Sequence, residues 1–325
     1  MSRLKIGLIG LGYWGRNLAR NLNSIADIDF CFISDPIDSP ELLKYSHIKG
    51  HYKCYKEALS KHKPDGVLIA TPIHTHSEIA LECLRTGVHI LVQKPLCDNV
   101  DDINRMRDFD KVVMTAHTFL FNEAIKQINS LDTRKKVGEF LHINSTRTNL
   151  GLFTDKHNVI WDLAPHDFSI ITHLFQGEVP LWLSASGFAH TDSGIVDTAN
   201  ISLKYRDKSA LINLSWFSPI KQRILTISGQ NKMIVYDDTK SDEKVKLIDK
   251  SVNYNDSVFD YRTGDTFSPL ISPTEAIRNE IQHFIKCIKK EEKCISDLDF
   301  SEKVVKLILA ANTSIKNKGE PIELS

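Results

Sequence analysis

No run in this chain of 325 residues approaches the roughly 20 consecutive apolar residues that a membrane-spanning helix needs. Excess charge is also missing: 41 basic and 41 acidic side chains cancel, so no bulk attraction to nucleic acid or to a membrane surface is expected. The six cysteines, Cys31, Cys54, Cys83, Cys97, Cys287 and Cys294, include no C-x-x-C pair. That argues against a secreted disulfide framework and against a zinc site, so no metal is expected. The first residues, MSRLKIGLIG, lack an unbroken apolar stretch and a small-residue cleavage site, which argues against a signal peptide. Repeats and low-complexity tracts are absent too. These absences leave a cytoplasmic chain with free thiols, and its length exceeds one ordinary core, so two domains are expected.

Residues 1–118 alternate short β-branched runs with helical patterns, the rhythm of a parallel sheet covered by helices. Leu4 to Ile9 read as a strand, GLGYWG then sets Gly10, Gly12 and Gly15 at G-x-G-x-x-G spacing, and RNLARNL continues as a helix. A second strand, Phe30 to Ser34, ends at Asp35, 20 residues beyond Gly15. Gly10 permits a tight turn, Gly12 lets the backbone approach a pyrophosphate, and Gly15 allows close helix-to-strand packing. The helix start supplies N–H groups to phosphate. Asp35 is placed to accept hydrogen bonds from ribose hydroxyls and to repel a 2′-phosphate, which favours NAD over NADP. It could also simply start a turn before Pro36.

Further strands are predicted in GVLIATP, VHILVQKP and KVVMTAHTF, with a helix over SEIALECLRTG closed by Gly87. Ligands of open parallel sheets sit outside the carboxyl ends of the strands. Gly10, Asp35, Thr71, Pro72, Gln93, Lys94 and His117 all fall there.

Residues 119–325 read as a second domain. The segments FLHINSTRTNL, LWLSASGF, TANISLKY, SALINLSWF, RILTISG and KMIVYD predict strands of an antiparallel sheet, interrupted by a helix around WDLAPHDFSIITHLF. The polar stretch SDEKVKLIDKSVNYNDSVFDYRTGDTFSP predicts a long loop, and TEAIRNEIQHFIKCIKK and SEKVVKLILAANTSIKN two amphipathic helices. In LHINSTRTN, alternation puts Leu141, Ile143, Ser145, Arg147 and Asn149 on one face, so Arg147 and Asn149 are candidate ligand contacts or else a solvated strand end. In WDLAPHD, Asp162 is the expected N-cap, with Pro165 in the first turn and His166 four residues on, on the same face. Such a carboxylate can orient an imidazole for proton transfer, although an ordinary cap beside a buried histidine fits as well. Asp167 is expected to point away from that face. His74 and His76 lack a third metal ligand, and Trp161 and Trp216 could stack on a sugar or fill a core.

GLGYWG, ATPIHTH, VQKPL, AHTFLFN and WDLAPHD together resemble, in order and spacing over nearly the whole chain, the landmarks of the glucose-fructose oxidoreductase, inositol dehydrogenase and rhizopine-catabolism (Gfo/Idh/MocA) family. The resemblance implies an α/β protein: an N-terminal Rossmann domain with a doubly wound parallel sheet, and a C-terminal α/β domain on an open, mostly antiparallel sheet. It implies NAD(P)-linked hydride transfer at a sugar or cyclitol alcohol. The form of WDLAPHD, TFLFN and TRTNLG is most similar to members acting on nucleotide-linked sugars at the 3-position. The cofactor contacts it implies are Gly10, Gly12, Tyr13, Trp14, Gly15, Asp35, Thr71, Pro72, His76, Gln93 and Lys94. Lys94, Asp162 and His166 become the catalytic candidates, and Lys94, Arg147, Asn149, Trp161 and His166 the substrate contacts. A homodimer or homotetramer, assembled through the open sheet face, is implied as well. Cyclitol or free-sugar dehydrogenases and non-catalytic dinucleotide-binding regulators share the scaffold. Two departures stand out: Gln93 replaces the usual glutamate before the lysine, and Ser169 occupies a position that is commonly acidic.

Overall fold

The apolar runs of the N-terminal third become strands because nothing in them satisfies a helical period and each is stopped by glycine, proline or a polar residue. The computed structural model describes residues 3–48, 50–151 and 153–324; residues 1, 2 and 325, at the ends of the two expected domains, lie outside it. Among the described residues the order is β1 (Leu4–Ile9), α1 (Tyr13–Asn23), β2 (Ile28–Ser34), β3 (His51–Tyr52), α2 (Tyr55–His62), β4 (Gly66–Ile69), α3 (Ile73–Arg85), β5 (His89–Gln93), α4 (Val100–Met106) and β6 (Val113–Ala116). There follow α5 (Glu123–Asn129), α6 (Leu131–Val137), β7 (Phe140–Leu150), α7 (Val159–Leu174), β8 (Trp182–Phe188), β9 (Thr198–Lys204), β10 (Ser209–Ser215), β11 (Phe217–Gly229), β12 (Met233–Asp237), β13 (Val245–Asn255) and β14 (Val258–Phe267). The chain closes with α8 (Ala276–Ile288), α9 (Leu298–Lys316) and β15 (Ile322–Glu323). No described helix is long and apolar enough to cross a membrane.

Internal contacts divide the chain into two units, Met1–Phe121 with Thr274–Val305, and Asn122–Pro273 with Lys306–Ser325. Residues 274–305, which the sequence groups with 119–325, thus count with the first unit. The reason is apolar burial: Ile281, Phe284 and Ile285 of α8 join Leu8, Leu18, Leu22, Leu68 and Leu91 in one core cluster.

In the first unit six strands run in the order β3-β2-β1-β4-β5-β6, every pair parallel. This is the doubly wound order with its switch point between β1 and β4. The register aligns the strand ends: Ile9 pairs with Ser34 and Ile69, Ile69 with Val92, and Gln93 with Ala116. Whatever follows each strand therefore emerges along one edge.

The second unit carries a nine-stranded sheet in the order β14-β13-β12-β11-β7-β10-β9-β8-β15, antiparallel except for the β7–β10 pair. Helix α7 packs on β7, β9 and β10. On the other face a depression is lined by Asn144, Ser184, Ser186, Asn200, Ser202 and Asn213 beside Leu211. Exposed apolar side chains include Phe188 on β8, Leu211 on β10 and Ile220 on β11, with a further group, Val252, Tyr254, Phe259 and Tyr261, on β13 and β14.

Two sequence expectations are corrected here. The polar stretch taken as a long loop is the β13–β14 hairpin. Asp256 and Ser257, at φ 48° and 66°, form a two-residue turn of the twist that suits hairpins, flanked by Val, Tyr and Phe. The N-cap of α7 is Asn158, whose side chain accepts from the N–H groups of Ile160 and Trp161. Asp162 lies inside the first turn and Pro165 inside the helix.

Glu280 on α8 is fully buried, and its Oε2 accepts from Thr118 Oγ1 at 3.0 Å. Burial pushes its pKa up to about 8, so the folded state holds a proton that the unfolded chain releases near the ordinary carboxylate value. Stability linked to this group is therefore full in acid and lost as pH rises toward 8. Glu280→Gln should be close to wild type near pH 5 and more stable above pH 7, with the gap levelling off above about pH 8. Urea melts of both proteins across that range measure it.

Candidate functional site

In the first unit, Gly10 sits at φ +93° with the carbonyl of Ala70 only 2.4 Å from where a Cβ would stand, so only glycine closes this turn. A Cβ on Gly15 would lie 2.1 Å from the carbonyl oxygen of Gly10, which lets α1 start directly against β1. Beside Gly12 the situation is reversed, with no atom within 4 Å. No capping side chain bonds the first turn of α1. Open space and uncapped N–H groups at a helix start are what a pyrophosphate requires, so the loop fits a dinucleotide. Tyr13 and Trp14 are exposed on this turn, with their rings edge-on at 5.6 Å.

Asp35 makes the turn considered for it, and one further tie. Its Oδ1 accepts from the Ile37 N–H at 2.9 Å, making a local turn, while Oδ2 accepts from the Leu11 N–H at 2.6 Å and ties the end of β2 to the glycine loop. A carboxylate has about four lone-pair sites, so acceptor capacity is left for hydroxyls.

Thr71 and Pro72 follow β4, Pro72 exposed and Thr71 half-buried. His76 lies beneath them, 1% exposed, with Nε2 2.8 Å from the Thr71 carbonyl oxygen and Nδ1 2.9 Å from that of Pro95. Burial lowers its pKa, so the neutral ring donates to one carbonyl at a time. His76 thus straps the loop after β4 to the loop after β5 and does not itself reach the edge. His74 is exposed, so the two histidines diverge.

Gln93 ends β5 and is buried; Lys94 follows, half-buried, joined to Pro95 by a cis bond. Because Gln93 pairs with Ala116, Lys94 and His117 emerge next to each other. His117 is fully buried, and burial, then the Lys94 cation, push its pKa down to about 3. It is neutral in the physiological range and adds no second positive charge.

In the second unit, α7 presents Asp162 and His166 one turn apart, both half-buried. Asp162 Oδ2 accepts from Trp216 Nε1 at 3.0 Å, and that indole is buried, so Trp216 is core. Its edge contacts Phe153 and His157. Trp161 and Asn149 are half-buried nearby in sequence, and Ser169 donates to the His166 carbonyl at 2.8 Å.

Arg147 is buried, and its guanidinium engages Asp167: Nε to Oδ2 at 2.8 Å and Nη2 to Oδ1 at 3.1 Å. Ser145 Oγ adds a bond to Oδ1 at 2.7 Å. Asp167 therefore points at β7, and this side of the Arg147 fork holds α7 to the sheet. Sequence reasoning missed His190, whose Nδ1 lies 2.7 Å from Oδ1 of the fully buried Asp197 and whose ring stacks on exposed Phe217 at 5.4 Å. No local spacing marks this pair; the strands on either side create it.

A doubly wound sheet with a glycine loop, an acid after β2 and a lysine after β5 defines a dinucleotide-binding α/β protein with a second, mixed-sheet unit. The chain belongs to the Gfo/Idh/MocA family. Residues 4–111 match the model described as "Oxidoreductase family, NAD-binding Rossmann fold", and residues 127–235 the GFO/IDH/MocA C-terminal domain. A similar curated protein is the myo-inositol 2-dehydrogenase of Thermotoga maritima, 28% identical over 220 residues, or 62% of this chain and 65% of that one. The chain spans about half to two thirds of the length of the curated relatives it matches first. Among solved structures, GenD2 from gentamicin A biosynthesis, in complex with NAD, has a TM-score of 0.83 at 18% identity, covering 100% of this chain and 97% of that one. The UDP-N-acetylglucosamine 3-dehydrogenase of Acidithiobacillus ferrooxidans has a TM-score of 0.81 at 19% identity, covering 98% and 99%. At those identities the two structures speak for the fold.

Removing one member of a buried ion pair strands the other charge, at a cost of about 3–5 kcal/mol. Asp167→Asn should lower unfolding stability by about that much, and pairing it with Arg147→Met should recover a large part. Chemical denaturation of the single and double variants checks this.

Proposed function

We propose that the protein is an NAD-dependent oxidoreductase that transfers hydride between nicotinamide and a secondary alcohol of a sugar-type substrate. The observation that carries the reading is Lys94, which leaves β5 on the edge that also bears the glycine loop and Asp35. That edge is where dinucleotides bind in open α/β sheets. Bound NAD supplies the hydride acceptor, or NADH the donor. The chain's own task is the proton. An alcohol losing hydride must also lose its hydroxyl proton, and Lys94 and His166 are the groups assigned to it: Lys94 holds the hydroxyl, His166 takes the proton, and Asp162 steadies its helix face. In the reductive direction the lysine ammonium stabilises the forming alkoxide. Gln93 cannot hold Lys94 protonated by charge as a glutamate would.

The proposed substrate is a nucleotide-linked sugar oxidised at the 3-position. Phe153, and Phe217 under His190, offer exposed aromatic surface on which a pyranose or a base can lie. A cyclitol is the second reading, favoured by the likeness to a myo-inositol 2-dehydrogenase. Arg147 acts by holding α7 to β7 through Asp167, while Asn149 and Trp161 remain proposed direct contacts. A cytoplasmic homodimer or homotetramer is the proposed setting.

Screening the purified protein with NAD against nucleotide sugars, cyclitols and free sugars, by nicotinamide absorbance, tests the reading. Tight NAD binding without turnover on any of them would instead support a dinucleotide-binding regulator. With the true substrate, Lys94→Ala and His166→Ala should each lower turnover by about 10²- to 10⁴-fold; near-full turnover in both would overturn the assignment. Wild type should prefer NAD, and Asp35→Asn, which keeps an acceptor but removes the charge, should narrow the margin over NADP in binding titrations.

A further inference from the structure

Away from the dinucleotide edge, the first unit brings together side chains that lie apart in sequence. His283 and Cys287 are four residues apart on α8 and so share a face. The chain then reverses: Lys290 takes φ +61°, its N–H bonds the Cys287 carbonyl at 3.0 Å, and the Glu291 N–H bonds the Lys286 carbonyl at 2.9 Å. This return brings Cys294 back to α8. One ligand atom from each of His283, Cys287 and Cys294 lies within 4.8 Å of the other two, and His283 Nε2 is 3.4 Å from Cys287 Sγ. Zinc bound at about 2.3 Å to sulfur and 2.0 Å to nitrogen holds tetrahedral ligands roughly 3.5 to 3.8 Å apart, so the cluster needs only a small contraction.

The surroundings match a metal centre more closely than a chance meeting of thiols. His283 Nδ1 is 2.7 Å from Glu292 Oε2, the carboxylate partner that fixes the tautomer and aims Nε2 at the thiols. Glu292 is itself held by Lys286 Nζ at 2.7 Å. Just beyond Cys294 the chain is fastened to β6: the Thr115 N–H bonds the Ser296 carbonyl at 3.0 Å, and Ser296 Oγ bonds the Thr115 carbonyl at 2.8 Å. The thiols are therefore preset by a helix and a clamped loop. Both line a cleft of about 250 Å³ that also bears Glu292 and Asp297, which leaves a fourth position open to water. The Ile295 N–H lies 3.3 Å from Nε2, a long contact that a metal would displace.

We propose that His283, Cys287 and Cys294 form a binding site for a thiolate-preferring divalent cation, Zn²⁺ foremost, with Glu292 orienting the histidine. Imidazole and thiolate are the donors that select zinc over magnesium or calcium. Binding closes the return after α8, and two protons leave as the thiols become ligands.

The test uses the full-length protein, reduced and stripped with a chelator, then titrated with Zn²⁺ and with Co²⁺ as a coloured probe. One equivalent should bind, Co²⁺ should give the intense near-ultraviolet band of thiolate ligation, and Zn²⁺ should raise the melting temperature. Cys287→Ser and Cys294→Ser should each abolish the band. Glu292→Gln, at a partly exposed position that leaves the core intact, should weaken affinity about 10- to 100-fold without abolishing it. The proposal is overturned if the reduced protein binds no stoichiometric metal, or if binding persists in the Cys287→Ser/Cys294→Ser double variant. It is equally overturned if mild oxidation joins Cys287 to Cys294 while neither metal binds, because the pair would then be a redox couple.

Discussion

The constraint on which the first unit depends is the parallel register. Hydrogen bonds that pair Ile9 with Ser34 and Ile69, and Gln93 with Ala116, cannot slip by one residue without exchanging the side chains packed on the two buried faces. The register thereby converts five separate positions in sequence, after β1, β2, β4, β5 and β6, into neighbours along one edge. Gly10 then turns where Ala70 leaves no room for a Cβ, and Asp35 holds the turn through the Leu11 N–H. Lys94 and His117 follow as a pair with one charge between them, because burial keeps the imidazole neutral.

In the second unit the equivalent constraint is chemical rather than geometric. Helix α7 carries the residues proposed for proton transfer, and a polar tie holds it to the sheet: Asp167 to Arg147 and Ser145. A second tie runs from Asp162 to the Trp216 indole. These bonds set the rotation of the helix, so the face that bears His166 follows from residues that need not touch a ligand.

Much of this was legible in the sequence. The glycine spacing, the strand before it and the acid at Asp35 mark the dinucleotide edge, and the strands from Phe140 to Asp237 fall close to where alternation puts them. What the sequence concealed has physical causes. Strand β14 exposes every side chain and β13 those from Val252 to Asn255 next to the turn, so alternation of burial gave little signal there, although Asp256 and Ser257 between aromatic and β-branched residues were a turn cue. The start of α7 was misplaced because Asn158 and Asp162 are both competent caps and only tertiary structure chooses. The grouping of α8 with the first sheet, the engagement of Arg147 and the meeting of His283 with two cysteines are all long-range outcomes that no local spacing contains.

The Arg147–Asp167 tie also bears on how this chain can change over generations. Each partner is sealed from water, so a substitution at either position alone removes the opposite charge that offsets the burial of the other. Positions 147 and 167 are therefore locked into joint replacement. Among relatives that have left this arrangement, the two sites should have crossed to an apolar or swapped pair together, which makes covariation the trace of a buried charge.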